Sequence, residues 1–154
     1  MERPITGFHQ DEAADWVAEL SCGHQQHARH DPPFTLRPWV VTEEGRASKI
    51  GALLECPPCD RQERPAGFVP YQRTSVFSET TTPRALLADH TTKRSVWARI
   101  VVLEGRLRYH IPSLGRVEDL SPEREGTVVP ELAHHVEPVG HVQFFVEFYR
   151  APTP

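Results

Sequence analysis

The chain has 154 residues, 38% of them hydrophobic, with 15 prolines against 9 glycines and a formal net charge of −4. That length suits one ordinary domain or one with a small appendage, and the proline load favours short strands and stiff loops over long helices. The negative balance offers no cation surplus for unspecific nucleic-acid binding, and no apolar run approaches the roughly 18 residues of a membrane span.

The first residues, MERPITGFHQDE, lack the charged-then-apolar pattern of an export leader, so a cytosolic protein of bacterial type is expected. Residues 15–21, DWVAELS, read as a short strand that delivers the chain to Cys22-Gly23-His24. His27 and His30 follow, and Asp31-Pro32-Pro33 ends any regular element there. Residues 37–41, RPWVV, read as a second short strand, residues 42–46 as a turn, and residues 49–55 as a weakly apolar lead into Cys56-Pro57-Pro58-Cys59. This third of the chain has few large apolar residues and needs a staple.

Three cysteines cannot all pair as disulfides within one chain, and in a reducing compartment the close pair Cys56/Cys59 reads as a metal knuckle or a redox pair. A redox pair needs a following helix to depress a thiol pKa, and Asp60-Arg61-Gln62-Glu63-Arg64-Pro65 leaves little room for one. Structural Zn2+ is therefore expected on Cys22, His24, Cys56 and Cys59, with His27 as substitute if the turn at Gly23 points His24 away. The segments TGFHQDE, WVAELSCGHQQHARHDPP, RPWVVTEEGR and LECPPCD resemble a small bacterial domain of unknown function with zinc-ribbon character, over about residues 5–61. His27 and His30 fall inside that resemblance; surface histidines in a polar loop are the plainer reading.

Residues 61–67, RQERPAG, read as a boundary between a zinc-ribbon-like module at 1–63 and a second domain at 68–151. Beyond it, residues 68–77 read as extended, 78–83 as a Thr-rich loop or edge, 84–89 as a short apolar patch and 90–93 as a turn. Residues 94–110, RSVWARIVVLEGRLRYH, read as a β-hairpin turning at Glu104-Gly105, and the rest of the domain is organised around it. A strand at 117–120 follows, then short segments around Thr127 and Leu132, a turn at 139–141, and a buried terminal strand at 142–150, VQFFVEFYR. Strands this short with turns this frequent describe a mainly β sandwich, jelly roll or small barrel.

The order of these pieces resembles the cupin superfamily, a double-stranded β-helix: VVLEG at 101–105 falls where the first cupin motif turns, and VPELAH at 129–134 where the second places a metal-binding histidine. More closely, VPYQRTSVF, LLADHTTKRSVWARIVVLEGRLRY, VVPELAHHVEP and FFVEFYR resemble the tellurite-resistance-associated (TehB/YeaR-like) cupin family over about residues 68–150. The resemblance implies a compact bacterial cupin linked to oxyanion stress. The usual His-x-His and Glu of the first motif are replaced, since Thr92, Arg94 and Ala98 occupy those slots. His90 and His134 remain, with His110, Glu147, His135 and Glu104 as supplements for a metal or ligand in the cavity.

The favoured reading is a binding protein for a small molecule or oxyanion such as tellurite, without demonstrated catalysis, carrying a structural zinc module. The first alternative is a dioxygenase-like enzyme with a second divalent metal on His90, His134 and either His110 or Glu147. The second is a regulator docking partners through the zinc module, kept open by Arg29, Arg37, Arg46 and Lys49. Arg94, Arg99, Arg106 and Arg108 read as solvated strand faces or as a site for an anionic ligand. A homodimer through exposed sheet edges is the expected assembly.

Overall fold

The computed structural model describes residues 1–153. The chain is mainly β and divides into two units, Met1–Arg61 and everything from Gln62 onward. No helix among the described residues is long and apolar enough to cross a membrane.

The first unit runs β1 (Glu2–Gln10), β2 (Trp16–Leu20), β3 (Gln25–His27), a 3-10 turn (Pro38–Val41), α1 (Glu43–Ser48), β4 (Leu53–Glu55) and α2 (Pro57–Asp60). Its antiparallel sheet has the order β3-β2-β1-β4. The β1–β2 turn is tied by Asp11, whose Oδ1 accepts the Ala13 and Asp15 amides at 2.9 and 3.0 Å. Ile5, Val17, Ala18, Leu20, Ala28 and Val40 are its buried aliphatic side chains.

The second unit runs β5 (Val69–Arg73), β6 (Phe77–Ser78), α3 (Arg84–Leu87), β7 (Trp97–Ile111), a 3-10 turn (Pro112–Leu114), β8 (Arg116–Leu120), β9 (Gly126–Val128) and β10 (His135–Arg150). All its pairings are antiparallel: β10 and β7 run side by side, β5 and β6 border β10, and β8 and β9 border β7. These pairings link all six strands into one curled sheet. Its inner face buries Ile100, Val102, Leu107, Tyr109, Val136 and Phe144 among others.

The hairpin expected at 94–110 is a single strand. Gly105 takes φ +82°, and a Cβ there would lie 1.9 Å from the His141 carbonyl oxygen, so Glu104-Gly105 bends the strand against β10 instead of reversing it. Phe144 pairs with Val102 while Gln143 pairs with Glu104, which leaves Leu103 as an extra residue on β7. Opposite it, β10 runs straight through the turn expected at 139–141, with Gly140 at φ +68° absorbing the irregularity.

Three shorter expectations are also corrected. Residues 38–41 form a 3-10 turn where a strand was expected, because Pro38 opens it with its fixed φ. The turn expected at 42–46 begins α1, where Thr42 Oγ1 accepts the Gly45 amide at 3.0 Å and Glu43 and Glu44 occupy the first turn. The extended segment at 68–77 breaks into β5 and β6, and the patch at 84–89 contains α3.

Candidate metal centre and cavity

β1 lies between β2 and β4, so the turns that follow both neighbours emerge at the same end of the sheet. After β2, Gly23 takes φ +94° and donates to the Leu20 carbonyl at 2.9 Å, folding Cys22-Gly23-His24 into a knuckle. After β4, the Cys56 amide donates to the Met1 carbonyl at 2.7 Å and the Cys59 amide to the Cys56 carbonyl at 3.0 Å, which closes the second knuckle.

The donor atoms of Cys22, His24, Cys56 and Cys59 lie within 4.8 Å of one another. His24 Nδ1 is 3.3 Å from Cys22 Sγ, 3.5 Å from Cys56 Sγ and 3.7 Å from Cys59 Sγ, and Cys22 Sγ is 3.8 Å from Cys56 Sγ. A tetrahedron with metal–sulfur bonds of ~2.3 Å and metal–nitrogen bonds of ~2.0 Å has edges of roughly 3.8 Å between sulfurs and roughly 3.5 Å between sulfur and nitrogen. The donor set fits a tetrahedral ion and can hold one. His27, the substitute, lies outside it and pairs through Nε2 with Asp11 Oδ2 at 2.9 Å.

Three thiols this close resist ionising together. Donation of the Cys59 thiol to the Cys22 sulfur, then burial, pushes Cys59 up to about 12. Burial pushes Cys56 up, and the Cys59 hydrogen bond lowers Cys22. A dication reverses that order, because thiolates are its ligands. Arg3, buried at the same end, favours the Cys59 thiolate.

The second unit has a half-open cavity of about 480 Å³. Ile100, Val128, Val136, Phe144, Val146 and Phe148 form its sheet wall, and Pro83, Ala85 and Leu86 approach from the segment around α3. Among the described residues its lining has one lysine, Lys93, and no arginine. His90 and His134 lie in the wall as a pair: each amide donates to the other's carbonyl at 3.0 Å, and the rings are 4.2 Å apart. Burial holds His134 down to about 4, so its ring is neutral near pH 7.

His110 and Glu147, expected to join this pair, face away from the cavity. Counting by twos from Ala98, Ile100 and Val102 puts His110 inside, but the extra residue Leu103 flips the phase, so Leu107, Tyr109 and Ile111 point in. His110 instead stacks on His135 with ring centres 4.4 Å apart and meets Glu137 at 3.3 Å. His135 Nδ1 lies 2.6 Å from Asp89 Oδ1. Glu147 alternates with the inward Val146 and Phe148 and accepts from Arg99 at 2.9 Å, Arg73 at 3.0 Å and Tyr149 at 2.9 Å. Glu104 lies 3.5 Å from His141.

Six of the basic groups named from the sequence have partners within their own units. Arg29 pairs with Asp15 and Arg37 donates to the His27 carbonyl, while Arg46 covers the Trp16 ring and Lys49 the Trp39 ring. Arg99 pairs with Glu125 as well as Glu147, and Arg108 with Asp119 and Glu137. The α3 side of the cavity was missed in the sequence. Its signal, Pro83 and the apolar Ala85-Leu86-Leu87, is too short to distinguish a wall from a loop.

Residues 6–63 match the family described as a protein of unknown function (DUF3565), and residues 72–146 match the TehB-like domain. No curated protein matches the chain. The crystal structure of TehB from Haemophilus influenzae is similar at 22% identity and a TM-score of 0.52 over 56% of this chain, which spans only 32% of that one. A crystal structure of a protein from E. coli strain K12 is similar at 22% identity and a TM-score of 0.52, over 58% of this chain and 96% of that one. At these identities the likeness is one of fold.

Proposed function

We propose that the second unit is a small-ligand-binding vessel of the cupin type and that the first is a structural zinc module. The cavity of about 480 Å³ carries the first half of this reading, since it falls within the range of small-molecule sites and is walled mainly by aliphatic and aromatic side chains. The tellurite association that goes with TehB-like domains gives a setting of chemical stress. A single lysine and a neutral His134 give a free oxyanion little to pair with, so the occupant is an organic molecule with an apolar body. For the first unit, Cys3His is a closed four-ligand set, the form of structural rather than catalytic zinc.

Two measurements test this. Protein purified without added metal holds one zinc per chain, and Cys56→Ser holds none. Toluene raises the unfolding temperature of the second unit and shifts the methyl resonances of Ile100 and Val146, and the cavity-filling Val146→Phe abolishes both effects. Zinc-free wild type would overturn the module, and toluene without effect on the wild type would overturn the vessel.

A further inference from the structure

The histidine pair in the cavity wall is built with a local symmetry that fixes what it can recognise. His90 Nδ1 lies 2.9 Å from the carbonyl of Ala88, and His134 Nδ1 lies 2.9 Å from the carbonyl of Leu132. In both cases the partner is the main-chain oxygen two residues earlier. A carbonyl can only accept, so Nδ1 carries the proton in each ring and Nε2 of the neutral ring is left as a bare acceptor.

Neither Nε2 meets a donor among the described residues, although the remainder of the ring environment is well supplied. Tyr109 and His134 pack in a T-shaped arrangement with ring centres 5.7 Å apart, and the Tyr109 hydroxyl is already donated to the Thr127 carbonyl at 3.0 Å. His134 is 4% exposed, so its free lone pair has only the cavity to turn to. A ligand that covers this acceptor without offering a donor leaves it unpaired at a cost, whereas one that supplies the donor does not.

On the reading that the second unit is a small-molecule vessel, we infer that its ligand is a neutral compound with a hydroxyl or N–H donor directed at the His90/His134 pair and an apolar body against the sheet wall. Two adjacent acceptors attract donors and repel the lone pairs of carboxylates, ethers and oxyanions. The selectivity lies in the tautomers, which the main chain sets through Ala88 and Leu132 before any ligand arrives.

The experiment is titration of the full-length chain at pH 7.5 with four single-ring probes, phenol, anisole, benzoate and toluene, read by calorimetry and by NMR of the cavity methyls. Phenol binds about tenfold or more tightly than anisole, which has the same ring but no donor, and benzoate binds more weakly than either. In His134→Leu and His90→Leu the phenol-to-anisole ratio falls to about one while toluene binding persists, which separates a lost donor site from a lost fold. Equal affinity of phenol and anisole for the wild type would overturn the inference and leave the vessel standing. Failure of all four probes would overturn the vessel itself. Uptake by the wild type of a second equivalent of zinc, absent in His90→Leu, would also overturn the inference, because the two lone pairs would then belong to a cation.

Discussion

The two units solve the same problem with different means. The second buries a cluster of twelve side chains, Tyr109 and Phe144 among them, beneath two strands of 15 and 16 residues paired along their length. The first has no aromatic ring in its buried set and closes its sheet on strands of three to nine residues. What it has instead is four donors at one end, three of them cysteines with no exposed surface. A unit of that size gathers little apolar area to offset its chain entropy, and on the proposed zinc reading coordination to one ion replaces the missing core. On that reading the same chain contains one domain stabilised by the exclusion of water and one stabilised by bonds.

Breaking each support in turn should damage one unit and spare the other. The largest effect is expected from Cys56→Ser: structural zinc sites supply about 10–16 kcal/mol, so the first unit unfolds while the amide protection of β7 and β10 is retained. Phe144→Ala removes the ring that packs edge-on against Phe77 at 5.6 Å. It should lower the stability of the second unit by about 3–5 kcal/mol in a denaturant titration, with zinc content unchanged.

A pH titration sharpens the comparison further. His134 ionises near its ordinary 6.5 in the unfolded chain but only at about 4 when folded, so below pH 6.5 the unfolded state binds the extra proton. Stability of the second unit is complete above pH 6.5, falls between there and pH 4 by at most about 3 kcal/mol, and is then level for this group. His134→Leu should flatten that slope. Gly105→Ala should cost about 1–3 kcal/mol through its left-handed backbone, at the upper end because the new Cβ meets the His141 carbonyl. Its readout is the same denaturant midpoint, and the metal site should not register it.

The metal donors were legible in the sequence because each knuckle is local: Cys-Gly-His and Cys-Pro-Pro-Cys each fit one turn, and only their meeting required the fold. The central strand β1 was not legible, since Pro4, Gly7 and His9 hide its alternation. The cavity set was half legible. His90 and His134 meet through a two-residue bridge, while His110 was lost to one extra residue: Leu103 is unremarkable as a letter and decisive as a bulge. The mistaken hairpin has the same origin, because Glu-Gly between apolar runs signals a reversal unless the opposite strand supplies a matching irregularity, as β10 does at residues 139–141.

The most direct test is hydrogen exchange on the intact chain at pH 7.5, followed residue by residue before and after removal of bound metal with a chelator. The account predicts that protection collapses through β1, β2 and β4 and is unchanged through β7 and β10. Persistent protection of the first unit after the metal has gone, or a loss shared equally by both units, would contradict it.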